Sequence, residues 1–194
     1  MQMIRRLRCF GLKWQAIALL VVGRKRHAMK VFQTMAAEFP ADTYPLASMA
    51  HLQAEAGDRR GALQHLARLI EVEPANGRHW FNHGFVLEEL GDYSQAEASF
   101  RKATELSPKL DRAWYGLGLV LIRLQRFDEA MLALKQNTKL QPMSPYGWYQ
   151  LARVHVDRHE PEEAVKIIRH LKGFEPKVAA QLERETGLRT AQPS

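Results

Sequence analysis

Along this chain apolar residues recur at intervals of three and four, first through about fourteen residues and then, past a short polar turn, through a second stretch of the same kind. The turns read "GRKRH" from Gly23, "GDRRG" from Gly57, "GDYSQ" from Gly91, "QRFDE" from Gln125 and "HEPEE" from His159. Each turn with its flanks predicts two amphipathic helices folded back on each other. The punctuation is periodic. Prolines stand at 40, 74, 108, 142 and 176 and alanines at 28, 62, 96, 130 and 164, every step being 34 residues. Five units follow without an insertion: 9–42, 43–76, 77–110, 111–144 and 145–178.

Each recurring residue has a physical task. Gly23, Gly57 and Gly91 suit the left-handed backbone that ends a helix. The closing proline cannot continue a helix interior and separates one unit from the next. The alanine of each second helix lets two backbones approach closely, as do Ala16, Ala50, Gly84, Gly118 and Ala152 on the first. Trp80, Trp114 and Trp148 fill the space beside those contacts.

The pattern over residues 9–178 resembles the tetratricopeptide repeat family. The family's fourth-position aromatic or leucine is met by Leu12, Leu46, Trp80, Trp114 and Trp148, and its large apolar residue at twenty-four by Phe32, Leu66, Phe100, Leu134 and Ile168. Its small residue at eight, alanine at twenty and proline at thirty-two are met in all five units. Departures are Gln15 and His83 at position seven and Asn137 at twenty-seven. The resemblance implies an all-α fold, a right-handed superhelical solenoid of stacked antiparallel helix pairs, in which no unit buries its core alone. Residues 1–8 form a basic extension of the first helix. After the repeats, residues 179–194 supply the body of a capping helix, introduced by Pro176, with Val178 and Leu182 packed inward and Gly187 closing it. The final "TAQPS" is expected to be disordered.

Composition changes this picture at one end only. The chain of 194 residues carries a net charge of +7, yet residues 1–37 hold eight basic side chains and no acid, leaving 20 basic against 21 acidic residues elsewhere. The eight are Arg5, Arg6, Arg8, Lys13, Arg24, Lys25, Arg26 and Lys30. Between them Trp14–Gly23 is free of charge, but ten residues are too few to cross a bilayer, and Arg24-Lys25-Arg26-His27 is not a cleavage site. In the repeat register Leu12, Ala16 and Leu19 face the second helix. Ile4, Leu7, Phe10, Trp14, Ile17, Leu20 and Val21 are then left without an internal place. Ile4, Arg5, Arg6, Leu7, Arg8, Phe10, Trp14, Arg24, Lys25 and Arg26 are therefore candidates for contact with a partner protein, a second copy or an anionic membrane surface.

Catalytic chemistry has no foothold in the pattern. There is no glycine-rich phosphate loop or nucleophile elbow, and the single cysteine, Cys9, can form no internal disulfide. His79 with His83 and His155 with His159 share helix faces at four-residue spacing, but the further ligands a metal needs are missing, beyond Glu160 near His159. Neither an enzyme nor a cofactor or metal is expected.

A groove is what the resemblance offers instead. In the family the first helix of each unit lines a concave surface. Its middle here reads Phe81, Asn82, Phe85 and Glu89, then Arg112, Tyr115, Leu119 and Arg123, then Tyr146, Tyr149, Gln150 and Arg153. Aromatics with arginines are common anchors of protein interfaces. The family's chaperone-tail clamp would fall on Lys13, Ile17, Ser48, Arg78 and Asn82, of which two fit. Its asparagine ladder would fall on Trp14, Ser48, Asn82, Gly116 and Gln150, and fails. The mixed charge of the groove disfavours RNA. The expectation is a cytoplasmic scaffold or adaptor that holds a peptide or helix segment of another protein and helps assemble a complex. The alternative is a peripheral membrane scaffold using the N-terminal helix.

Overall fold

A computed structural model describes residues 2–189; the "TAQPS" tail lies outside the described residues. The chain divides into two compact units, one ending at Asp92 and one beginning at Tyr93. The first contains α1 (Gln2–Val21), α2 (Lys25–Glu38), α3 (Thr43–Glu55), α4 (Arg59–Val72) and α5 (Gly77–Glu89). The second contains α6 (Tyr93–Leu106), α7 (Asp111–Arg123), α8 (Phe127–Leu140), α9 (Pro145–Asp157), α10 (Pro161–Lys172) and α11 (Pro176–Thr186). From α2 to α10 corresponding helices begin 34 residues apart, whereas α1 starts early and runs for 20 residues against 13 in α3.

Within each unit consecutive helices pack on one another, and α9 also touches α7 and α11. The alanines dictate how closely. Ala28, Ala62, Ala96, Ala130 and Ala164 are each 0% exposed, and Phe32, Phe100, Leu134 and Ile168, four residues further on, are as fully enclosed. A Cβ added at Gly118 would lie 2.7 Å from the Leu134 side chain, and one at Gly116 would lie 2.7 Å from the Phe100 ring. Asn137, the departure from the repeat pattern, is buried without a loss of pairing: its amide donates to the Asp111 carbonyl at 2.9 Å, in room left by Gly147.

Helix ends follow from the turn sequences. Asp42, Asp58 and Asn76 cap α3, α4 and α5 by accepting from the backbone N–H groups of Tyr44, Gly61 and Arg78. Gly23, Gly57 and Gly91 hold φ of 74°, 84° and 80°, and at the equivalent turns Gln125 and His159 adopt the same left-handed backbone at 58° and 60°. Each tryptophan of the repeat donates its indole N–H to the carbonyl of the proline six residues before it: Trp80 to Pro74 at 2.8 Å, Trp114 to Pro108 at 2.8 Å and Trp148 to Pro142 at 2.9 Å. The bond ties the start of one repeat to the end of its predecessor. Ion pairs 30 residues apart also join neighbouring repeats at the surface, Lys25 to Glu55 at 2.7 Å, Arg59 to Glu89 at 2.6 Å and Arg158 to Asp128, while Arg8 to Glu38 at 2.6 Å ties α1 to the end of α2. Such exposed pairs add little energy each but fix register.

In α11, Ala179 and Leu182 are buried, Val178 packs beside them, and Gly187 ends the helix at φ 72° with its N–H on the Glu183 carbonyl.

Candidate functional site

The groove residues of the second unit lie on α7 and α9 at helical spacing. Arg112, Tyr115, Leu119 and Arg123 follow one face of α7, and Tyr146, Tyr149, Gln150 and Arg153 one face of α9. Arg112, Arg123 and Arg153 are exposed, and Tyr146 is 69% exposed. Tyr115 and Tyr149 instead rest partly on the hydrophobic core around Leu134 and Ile168, so their rings form the floor beneath the charged groups. The Tyr149 hydroxyl donates to Glu185 of α11 at 2.5 Å, which raises the phenol pKa and lowers that of the carboxylate. Arg153 lies over the Tyr149 ring, 5.9 Å from its centroid. Beside them Arg153, Val156, Asp157, Glu185 and Thr186 line an open recess of about 340 Å³.

In the first unit Phe81 and Phe85 stand on α5 with ring centroids 6.5 Å apart, Phe85 being 47% exposed, and Asn82 is exposed between them. Glu89, exposed at the end of α5, pairs with Arg59 at 2.6 Å. A second concavity, of about 520 Å³, opens between α2, α3 and α4 and includes Ala36, Leu46, Met49, His65 and Arg68 in its wall. Sequence reasoning missed it, because its lining comes from three helices at no common repeat position. Burial lowers the His65 imidazole pKa, with Arg68 adding to the effect.

The histidines are held for different reasons. His79 shares Glu73 with Asn76, at 2.9 Å from each nitrogen donor. His83 is half-buried against Trp80, and burial lowers its pKa. His155, not His159, meets Glu160, at 2.7 Å, and is itself buried. Among the described residues no three His, Cys, Asp or Glu side chains stand together as metal ligands. Cys9 donates to Asp42 at 3.6 Å, and burial, followed by that contact, raises its pKa.

At the N-terminus Leu12, Leu19 and Leu20 pack on the first core with Ala16 fully enclosed. Leu20, expected to lack an internal place, thus has one, because α1 turns a wider inner face to α2 than the repeat register implies. Ile4, Leu7, Phe10 and Trp14 are exposed, by 72%, 64%, 61% and 55%. Arg8 pairs with Glu38, Arg5 donates to the Glu38 carbonyl at 3.0 Å, and Lys25 pairs with Glu55, while Arg6, Arg24 and Arg26 are exposed.

The sequence pattern of the tetratricopeptide repeat matches residues 47–111 and 83–142, overlapping matches through the middle of this helical array. It is a tetratricopeptide repeat protein. Solved structures agree over nearly the whole tetratricopeptide repeat chain. A MamA protein is similar at TM-score 0.80 and 15% identity, covering 95% of this chain and 98% of its own. YrrB, described as a TPR protein with an unusual peptide-binding site, is similar at 0.76 and 16%, covering 87% and 88%. PilF of Pseudomonas aeruginosa is similar at 0.69 and 18%, covering 95% of each. No protein of curated function matches the sequence. The fold is that of an all-α repeat solenoid, and in general terms a scaffold for protein–protein interaction.

Proposed function

We propose that this chain is a non-enzymatic adaptor whose first-helix faces hold a segment of another protein and help to assemble a complex. The observation that carries the reading is the face of α7 and α9, where three exposed arginines and the exposed Tyr146 surround the half-buried rings of Tyr115 and Tyr149. Rigid aromatic floors with guanidinium groups at the rim suit an extended or helical segment carrying apolar side chains among acidic ones. On α5 of the first unit, Phe81 and Phe85 offer aromatic surface of the same kind. The peptide-binding site named for YrrB supports a peptide as the ligand class.

Mass spectrometry of proteins co-purifying with the tagged chain from its own cells should return one stoichiometric partner. Phe85→Ala, Arg112→Ala and Tyr146→Ala, all at exposed positions, should then weaken that partner by about 1 to 4 kcal/mol where the residue is a hot spot, with helicity unchanged. Full affinity in all three variants refutes the assignment.

A further inference from the structure

The outer face of α1 is unlike that of any other helix in the chain. Of the thirteen large hydrophobic residues exposed among the described residues, seven belong to this helix and its end: Met3, Ile4, Leu7, Phe10, Trp14, Val21 and Val22. Most of them fall at three- and four-residue spacing, so they form one stripe about 27 Å long at 1.5 Å per residue. The inner face is already committed, since Ala16 is enclosed and Leu12, Leu19 and Leu20 pack on the core of the first unit. The helix therefore has two apolar faces, of which one is left exposed by the described residues. Phe10 and Trp14 meet edge to face on the open one, centroids 5.9 Å apart.

Charge says what covers it. At 3.6 residues per turn Arg6 and Lys13 border the stripe on one side and Arg8 on the other, and Arg24, Lys25 and Arg26 follow its end. Glu38 engages only Arg8 and, through its carbonyl, Arg5, while Lys13 lies over the Tyr44 ring at 4.3 Å. No acid occurs before Glu38. A second copy of the chain is a poor match, because both units are themselves cationic, at net +3 up to Asp92 and +4 from Tyr93. Among the described residues no helix is long and apolar enough to span a bilayer. A stripe of aliphatic and aromatic side chains between rows of cations, on a helix that cannot span, has the make-up of one lying in a membrane interface.

We infer that α1 docks flat on an anionic lipid surface, its Ile4-Leu7-Phe10-Trp14-Val21 stripe in the acyl boundary and its arginines and lysines at the headgroups. The groove residues of α7 and α9 are not part of the contact.

Sedimentation with vesicles of phosphatidylcholine, alone or mixed with phosphatidylglycerol, tests this on the full chain. The intact protein should bind the mixed vesicles, release as salt is added, and leave neutral vesicles largely alone. Leu7→Glu with Trp14→Glu should abolish binding while helicity and melting temperature hold, since both side chains are exposed. Combining Arg6→Gln, Arg24→Gln and Arg26→Gln should weaken binding about fivefold per cation at low salt. An intact chain that ignores anionic vesicles overturns the inference, as does binding that neither variant alters. A dimer that Leu7→Glu with Trp14→Glu converts to monomer, without vesicle binding, assigns the stripe to a second copy. Capture of an acidic protein by the stripe, with vesicles ignored, likewise refutes it.

Discussion

Trp114→Phe isolates the bond that joins one repeat to the next. The substitution removes the indole N–H that reaches the Pro108 carbonyl at 2.8 Å and keeps an aromatic ring in a half-buried position. A net hydrogen bond is worth about 0.5–1.5 kcal/mol, the lower part of that range applying where water can reach the abandoned carbonyl. Losing the pyrrole edge removes roughly 40 Å² of contact, adding about 1 kcal/mol. A total near 2 kcal/mol moves Tm by about 4–8 °C in a chain of this length. Thermal and urea unfolding followed by circular dichroism reads it directly. Trp148→Phe should cost more, because its ring also lies 4.5 Å from that of His170. A Trp114→Phe protein that melts with the parent would show that the ring alone sets the joint, and the proline carbonyl only happens to be near.

Replacing Gln125 or His159 by glycine should raise stability by about 0.5–1 kcal/mol each, since a side chain in the left-handed region costs about 1–2 kcal/mol and the added chain entropy of glycine offsets part of the gain; equal or lower urea midpoints would contradict this. Burial holds the His83 imidazole below its ordinary pKa of 6.5, and that of His65 likewise, so the unfolded chain binds more protons as pH falls through that value. Stability should therefore decline with acidification below about pH 6.5, before the carboxylates titrate, and urea midpoints across that window should fall less steeply for His83→Leu.

The periodic elements were legible because repetition multiplies weak signals. A single Ala at position 130 says little, but the same residue at five steps of 34 marks a helix contact, and the structure encloses all five completely. The left-handed turns were read at Gly23, Gly57 and Gly91 because glycine announces them. Gln125 and His159 do not, although the register alone pointed to both. Side-chain partners were harder to foresee. Glu89 occupies a groove position in the register, yet Arg59, 30 residues earlier, draws its carboxylate to the turn, and Glu160 takes His155 because the end of α9 brings that ring nearer. Such choices depend on which long side chain reaches first in three dimensions, which spacing along one helix does not contain.

The surface pairs at a separation of 30 have a consequence for how such an array can grow or shrink. Lys25 and Arg59 occupy the same place in successive repeats, and so do their partners Glu55 and Glu89. If residues 43–76 were excised, Glu89 would arrive where Glu55 had been, and Lys25 would find a carboxylate waiting. A whole repeat can thus be lost or duplicated at this joint and the charges still meet, whereas a cut one residue longer or shorter would leave both stranded. Between these repeats the fastening is interchangeable: Lys25 and Arg59 present the same buckle to the neighbour that follows.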